Sequence, residues 1–218
     1  MDDFAKVFRD AKTEGAEEII CVTIAKDLSG TFQSATNAAR DAEIRVQVVD
    51  SSATTLGLGY QVLAAARALE RGGRSEDALK AIKTVRENLV TIIGLQTIEY
   101  VVRGGRLGGA MKWLGSTLSL KPVVTLDHKN GGKLQTLKMQ RTQRGLMNEV
   151  VKEFTNRLKS TRNLHIGITH GGSIALGQKL LAIVEEKLHL VESVLSEYGP
   201  VLGVHADPGG FALSGYSE

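Results

Sequence analysis

Several segments of this 218-residue chain carry side chains able to hold an anion. Leu28-Ser29-Gly30-Thr31 sets two hydroxyls and a glycine where an apolar, β-rich run at 19–25 gives way to an alanine-rich helix read over 32–42. At such a junction the unpaired backbone N–H groups and the positive end of the helix dipole favour a carboxylate or a phosphate. Capping of the helix by Ser29 fits the same spacing, so the residues alone leave both readings open. Arg103-Gly104-Gly105-Arg106 places two permanent cations beside backbone that a ligand can approach closely, or forms a solvated turn. Arg141 follows a strand read over 134–140, with Arg144 close behind, either at a strand exit where ligand contacts in α/β folds are common or as a surface arginine at a helix start. His205 lies in a turn-rich segment running from Gly199 to Leu213, held between Gly203 and Pro208.

Other chemistries lack their residues. No Gly-x-x-x-x-Gly-Lys-Ser/Thr loop, Gly-x-Gly-x-x-Gly turn or Gly-x-Ser-x-Gly elbow occurs. His128, His165 and His189 show no ligand-like spacing with a cysteine or an acid, so no metal site is expected. His170, at a strand end before Gly171-Gly172-Ser173, either faces a cleft or bonds the turn. Asp50, with Ser51 and Ser52, reads as a cap of the helix that follows in preference to a ligand contact. The lone cysteine, Cys21, sits in the apolar run Ile19-Ile20-Cys21-Val22 and reads as buried filler, which fits a reducing, cytoplasmic compartment.

Composition narrows the partners. The chain has 27 Lys plus Arg against 24 Asp plus Glu, a formal charge of +3, with no long basic run and only 5% aromatic residues. Neither a phosphate-tracking stripe nor a base-stacking platform follows from that, and nucleic acid is not expected. No apolar run approaches a membrane span, and Met1 to Phe8 show no basic segment leading into an apolar one, so no signal peptide is expected.

The elements that must position these groups alternate. Helix 3–14 precedes strand 19–25, helix 32–42, strand 45–50, a long helix at 55–70 and a further helix at 75–88. Strand 90–95, short helices at 98–102 and 110–118, strands 122–127 and 134–140, helix 142–158, strand 164–169, helix 173–188 and strand 191–195 follow, and a last short strand closes the chain. Asn130-Gly131 between two of these strands favours the left-handed geometry of a tight hairpin. The alternation predicts an α/β fold of two lobes, 1–88 and 89–218.

Taken in order, the segments resemble the DegV family of bacterial fatty-acid-binding proteins. Leu28-Ser29-Gly30-Thr31-Phe32-Gln33-Ser34-Ala35 is similar to the family's Leu-Ser-Gly-Thr-Tyr-Gln-Ser-Ala signature. Val49-Asp50-Ser51 with Leu56-Gly57-Leu58-Gly59, Arg103-Gly104-Gly105-Arg106 with Leu120-Lys121-Pro122-Val123, and Gly199-Pro200-Val201-Leu202-Gly203-Val204-His205 with Pro208-Gly209 resemble further family blocks. The resemblance implies a two-lobe α/β fold, related to the dihydroxyacetone kinase superfamily, that holds a long-chain fatty acid between the lobes. It implies no catalysis and no cofactor. A separate fatty acid kinase subunit would phosphorylate the bound carboxylate with ATP, and the carrier would pass the acyl-phosphate to phospholipid synthesis.

Carried over, Ser29 falls on the family's carboxylate-binding serine, Gly30 and Thr31 complete that loop, and Arg141 and His205 fall on basic positions tied to the head group and its phosphorylation. Arg103 and Arg106 join this ligand-binding set. The family's N-terminal segment, with an Asp-Ser-Thr strand end and a Thr-Ser-Gln-Pro-Ser loop, has no counterpart, so the first lobe is expected to be incomplete. Asp207 stands where the family usually has glycine, and is expected to point outward or to pair with Arg103, Arg106 or Arg141. Two other functions stay open: an enzyme of the dihydroxyacetone kinase fold using His205 or His170 in covalent or acid-base chemistry, and a ligand-free scaffold or regulatory remnant.

Overall fold

The computed structural model describes residues 2–107 and 120–217, so the helix expected over 110–118 lies outside the described residues. The chain divides into two compact units. The first takes the residues up to Thr54 with Leu58–Glu87 and His128–Gly132, and the second takes Thr55–Gly57 and the remaining residues from Asn88 onward.

In the first unit, α1 (Asp2–Thr13), β1 (Glu18–Thr23), α2 (Thr31–Arg40), β2 (Arg45–Asp50), α3 (Thr55–Glu70) and α4 (Ser75–Asn88) follow one another. β1 and β2 pair in parallel, Glu18 opposite Arg45 through Thr23 opposite Asp50. Parallel strands need a crossover, and the ten-residue α2 supplies it, burying Ala35 and Ala38. Ala65 of α3 and Ala78 and Ile82 of α4 pack with Ile20, Val22 and Val49 of the sheet.

The second unit is built on six strands. After β3 (Val90–Gly94) come α5 (Glu99–Arg103), β4 (Lys121–Asp127), β5 (Lys133–Gln140), α6 (Gln143–Arg157), β6 (Leu164–His170), α7 (Ile174–Glu185), β7 (Leu190–Glu197), α8 (Pro200–Gly203) and β8 (Phe211–Ser217). Their order in the sheet is β5-β4-β3-β8-β6-β7. Only β6 and β7 are parallel, joined through α7 as a βαβ unit. The core joins Leu146, Val150 and Phe154 of α6 and Leu180 and Val184 of α7 to Ile92, Ile166, Ile168 and Leu213 of the strands. These are the 3.6-residue and two-residue stripes the sequence displays.

Two details depart from the pattern of the sequence. The short closing strand takes a central place: β8 lies between β3 and β6, and all seven of its residues are buried. Its small residues are demanded there, since a Cβ on Gly215 would come within 2.6 Å of the His165 carbonyl oxygen. The β4–β5 hairpin takes its left-handed positions at Gly131 (φ +71°) and Gly132 (φ +79°), not at Asn130. Its tip belongs to the first unit, where a Cβ on Gly132 would meet the Ser52 carbonyl oxygen at 2.7 Å and His128 Nδ1 lies 2.8 Å from that same oxygen. His165, buried in β6, bonds Glu192 at 2.9 Å and stacks on Tyr216 with ring centres 4.7 Å apart, a structural use of both nitrogen and ring.

Candidate functional site

In the first unit, the segment after β1 turns on the Ala25 carbonyl oxygen, which accepts the backbone N–H groups of Leu28 and Ser29. α2 then begins at Thr31, with Gly30 as its cap residue and no side-chain capping bond. Ser29 therefore sits one position before the cap, so the Ser29 capping expectation does not hold. Its Oγ accepts the Thr31 N–H at 3.3 Å and lies 2.7 Å from Thr31 Oγ1. Of the two hydroxyl protons, one closes this pair and the other remains to be donated outward. Among the described residues the N–H groups of Phe32 and Gln33, in the first turn, have no side-chain acceptor, as the first turn of a helix permits. The result is a cluster of donors at a positive helix end.

Asp50, at the end of β2, braces this region. Its carboxylate accepts the backbone N–H of Lys26 at 3.2 Å and of Ser52 at 2.9 Å, tying the two strand ends together. Its role is to join loops rather than to cap α3, whose cap residue is Thr54. Cys21 is half-buried, and burial pushes its thiol up from its ordinary value, which keeps it in the inert thiol form.

In the second unit, three of the named positions meet. α5 ends at Arg103, and its C-cap Gly104 has φ −70°, a conformation open to any residue. What forbids a side chain there is His205: a Cβ on Gly104 would stand 2.2 Å from the imidazole Nδ1. The His205 ring thus packs close against Gly104, with Nδ1 buried and without a hydrogen-bond partner among the described residues. Burial first, and the nearby Arg106 guanidinium second, hold this histidine below its ordinary pKa. At neutral pH it is an uncharged imidazole, one nitrogen donating and the other accepting. Arg103 extends into solvent and pairs with Glu99 one helical turn earlier, at 2.6 Å. Arg106 donates to the Gly104 carbonyl oxygen at 2.5 Å. Arg141 is exposed directly after β5, and no described contact joins it to this group.

The loop bearing His205 is fixed from outside itself. Asp207 is 2% exposed, and neither points outward nor pairs with an arginine. Its Oδ2 accepts the Thr97 N–H at 2.5 Å, while Oδ1 has no partner among the described residues. Gln96 donates to the Gly209 carbonyl at 2.8 Å and accepts from Lys121 at 2.6 Å, and the Tyr198 hydroxyl donates to the Asp207 carbonyl at 2.7 Å. Burial pushes the Asp207 pKa up to about 6 against the opposing pull of the Thr97 and Gln96 backbone donors and of Lys121. Burial, with the Asp207 charge second, pushes Tyr198 up to about 12. The sequence flagged Asp207 by its type but not its surroundings, because Gln96, Thr97 and Lys121 are about a hundred residues away along the chain.

Among the described residues no cluster of three metal-ligating side chains occurs, and no helix is long and apolar enough to cross a membrane.

The fold and this arrangement of segments are those of DegV proteins. A solved DegV family structure from Thermus thermophilus, described as fatty-acid binding, is 33% identical, covers 100% of this chain and 76% of that chain, and superposes with a TM-score of 0.89. A stearic-acid-binding protein from Eubacterium ventriosum shares the fold at a TM-score of 0.86 and 24% identity, covering 99% of this chain and 75% of its own. A DegV domain-containing protein of Streptomyces coelicolor is 30% identical over 207 residues, 94% of this chain and 72% of the relative. The family model described as "Uncharacterised protein, DegV family" matches residues 1–218, and the chain belongs to the DegV family.

Proposed function

We propose that this chain is a cytoplasmic carrier that binds a long-chain fatty acid and presents its carboxylate to a separate ATP-dependent kinase, which forms the acyl-phosphate used in phospholipid synthesis. The observation that carries the reading is the Ser29–Thr31 hydroxyl pair at the start of α2, in a chain whose Thermus neighbour is described as binding a fatty acid.

The physical case is direct. A carboxylate taken out of water costs several kcal/mol unless it is hydrogen-bonded or paired. The free hydroxyl proton of the pair and the first-turn N–H groups of α2 supply donors, and the helix end supplies positive potential. Each methylene of the acyl tail adds about 0.8 kcal/mol when buried, so affinity resides in the tail and orientation in the head. In the second unit, His205 serves the head group as a neutral hydrogen-bonding imidazole and Arg141 as a cation. Arg103 and Arg106 give that region its basic character, suited to an acidic kinase surface or to the charge of an acyl-phosphate.

Native mass spectrometry of the purified chain, followed by extraction and identification of released lipid, tests the reading. One fatty acid per chain supports it. A protein that is empty and takes up no added fatty acid sinks it. Loss of a charge-assisted hydrogen bond lowers affinity by about ten- to a hundredfold, the change expected for Ser29→Ala. Unchanged affinity in both Ser29→Ala and Arg141→Ala would remove these residues from the site while leaving the carrier function standing.

A further inference from the structure

The second unit contains a cleft of about 580 Å³ that the fatty-acid reading does not use. It opens at the carboxyl ends of β6 and β7, the two parallel strands of the sheet. Gly171 and Gly172, directly after β6, line one side, and Glu197 and Tyr198, at the end of β7, line the other. His170 and Glu197 are partners in the strand register, so the two walls rise from one rung of the ladder. In α/β units, ligands settle outside the carboxyl ends of the strands, phosphate at the glycine-bearing first turn and a sugar diol on an acid at the end of the next strand.

Three features of the cleft fit that chemistry. Gly171-Gly172 leads into the twelve-residue α7, whose cap residue Ser173 makes no side-chain capping bond; the Leu176 N–H is taken by the Ser173 carbonyl, and among the described residues those of Ile174 and Ala175 are left for an anion. Gly172 takes φ +71°, and a Cβ on Gly171 would meet the Tyr198 hydroxyl at 2.1 Å, so both glycines are required for the turn and its close approach to Tyr198. Independently of the helix, Asp207 lines the same cleft with its side chain 2% exposed and Oδ1 lacking any partner among the described residues. A buried, unsatisfied acceptor is costly, and a ligand hydroxyl is the group that would satisfy it.

We propose that this cleft binds a small phosphate monoester of a sugar, free or as part of a nucleotide, with the phosphate at the start of α7 and the sugar hydroxyls on Glu197 and Asp207. The proposal is independent of the fatty-acid reading and survives if that reading fails.

Ligand-observed NMR and calorimetry on the full chain test it, with adenosine 5′-monophosphate, ribose 5-phosphate, adenosine and inorganic phosphate as probes. Binding of the monophosphate alone assigns a nucleotide, and binding of both phosphate esters assigns the sugar phosphate common to them. In either case adenosine and inorganic phosphate should be at least about tenfold weaker. Glu197→Gln should weaken the phosphate esters about tenfold while leaving inorganic phosphate unchanged. Gly203→Leu places its side chain on the wall of the cleft, where a Cβ would have no neighbour within 4 Å, and should abolish ester binding with the melting temperature retained. Absence of binding by both esters at low-millimolar concentration overturns the proposal. So does ester binding that survives both substitutions, or adenosine binding as tightly as its monophosphate.

Discussion

The turn before α2 and the loop around His205 are both candidate head-group elements, yet they are held in opposite ways. The first is local. The Ser29–Thr31 pair spans two residues, and the Ala25 carbonyl that receives Leu28 and Ser29 lies within four. The second is held from far along the chain. Thr97 and Gln96 grip Asp207 and Gly209 across separations of 110 and 113 residues, and Gly104 makes room for the imidazole ring. A locally closed turn survives a change in its neighbours, whereas a loop fixed by distant partners moves when any one of them does. Positions in the His205 loop should therefore couple stability to function, and positions in the Ser29 turn should separate them.

The largest effect should come from Asp207. Its folded pKa, about 6, lies above the unfolded value of 3.8, so the native state binds the proton more tightly. The stabilisation is complete below pH of about 4 and is lost as pH rises through about 6. The full loss corresponds to roughly 3 kcal/mol at most. Urea denaturation between pH 4 and pH 7 should show this decline, and Asp207→Asn, which keeps an acceptor for Thr97, should flatten it and leave the variant more stable at pH 7. A parallel decline in both proteins would mean that Asp207 is not the titrating group.

Next in size is Gly104→Ala. The backbone accepts alanine there, so the cost is displacement of His205, about 1–3 kcal/mol by the measure of overpacked sites, together with weaker fatty-acid binding. Thermal melts with a lipid-binding assay on the same samples check it, and an unchanged histidine titration by NMR would show that the ring has not moved. Ser29→Ala should cost about 1 kcal/mol of stability, since its two local hydrogen bonds to Thr31 are lost at a half-exposed site, while its affinity falls as stated above. If its stability fell as far as that of Gly104→Ala, the contrast between the two regions would collapse. Smallest of all, Arg103→Ala removes one exposed ion pair within a helix, worth about 0.3–0.5 kcal/mol, and should barely shift the melt.

Much of the fold was legible from spacing alone. The α6 stripe Leu146, Val150 and Phe154, the hairpin around Gly131 and the turn at Gly104-Gly105 are where local periodicity and glycine chemistry place them. The place of β8 was not, because Phe211, Leu213 and Tyr216 mark a buried strand while its neighbours β3 and β6 are set only by long-range pairing. In the candidate site, Ser29 and Thr31 were legible because their contacts are two residues long. The environment of Asp207 was not, because its charge state depends on burial and on donors a hundred residues distant.

The sequence by itself determined the α/β alternation, the family and the types of residue proposed to face an anion, since these follow from short-range pattern and chemical identity. Only the tertiary structure decided that Ser29 pairs with Thr31 instead of capping α2, that His205 is neutral against Gly104, and that Asp207 is buried with one oxygen unsatisfied. Each of those depends on desolvation and on partners brought together by packing, quantities that a linear order of residues does not contain.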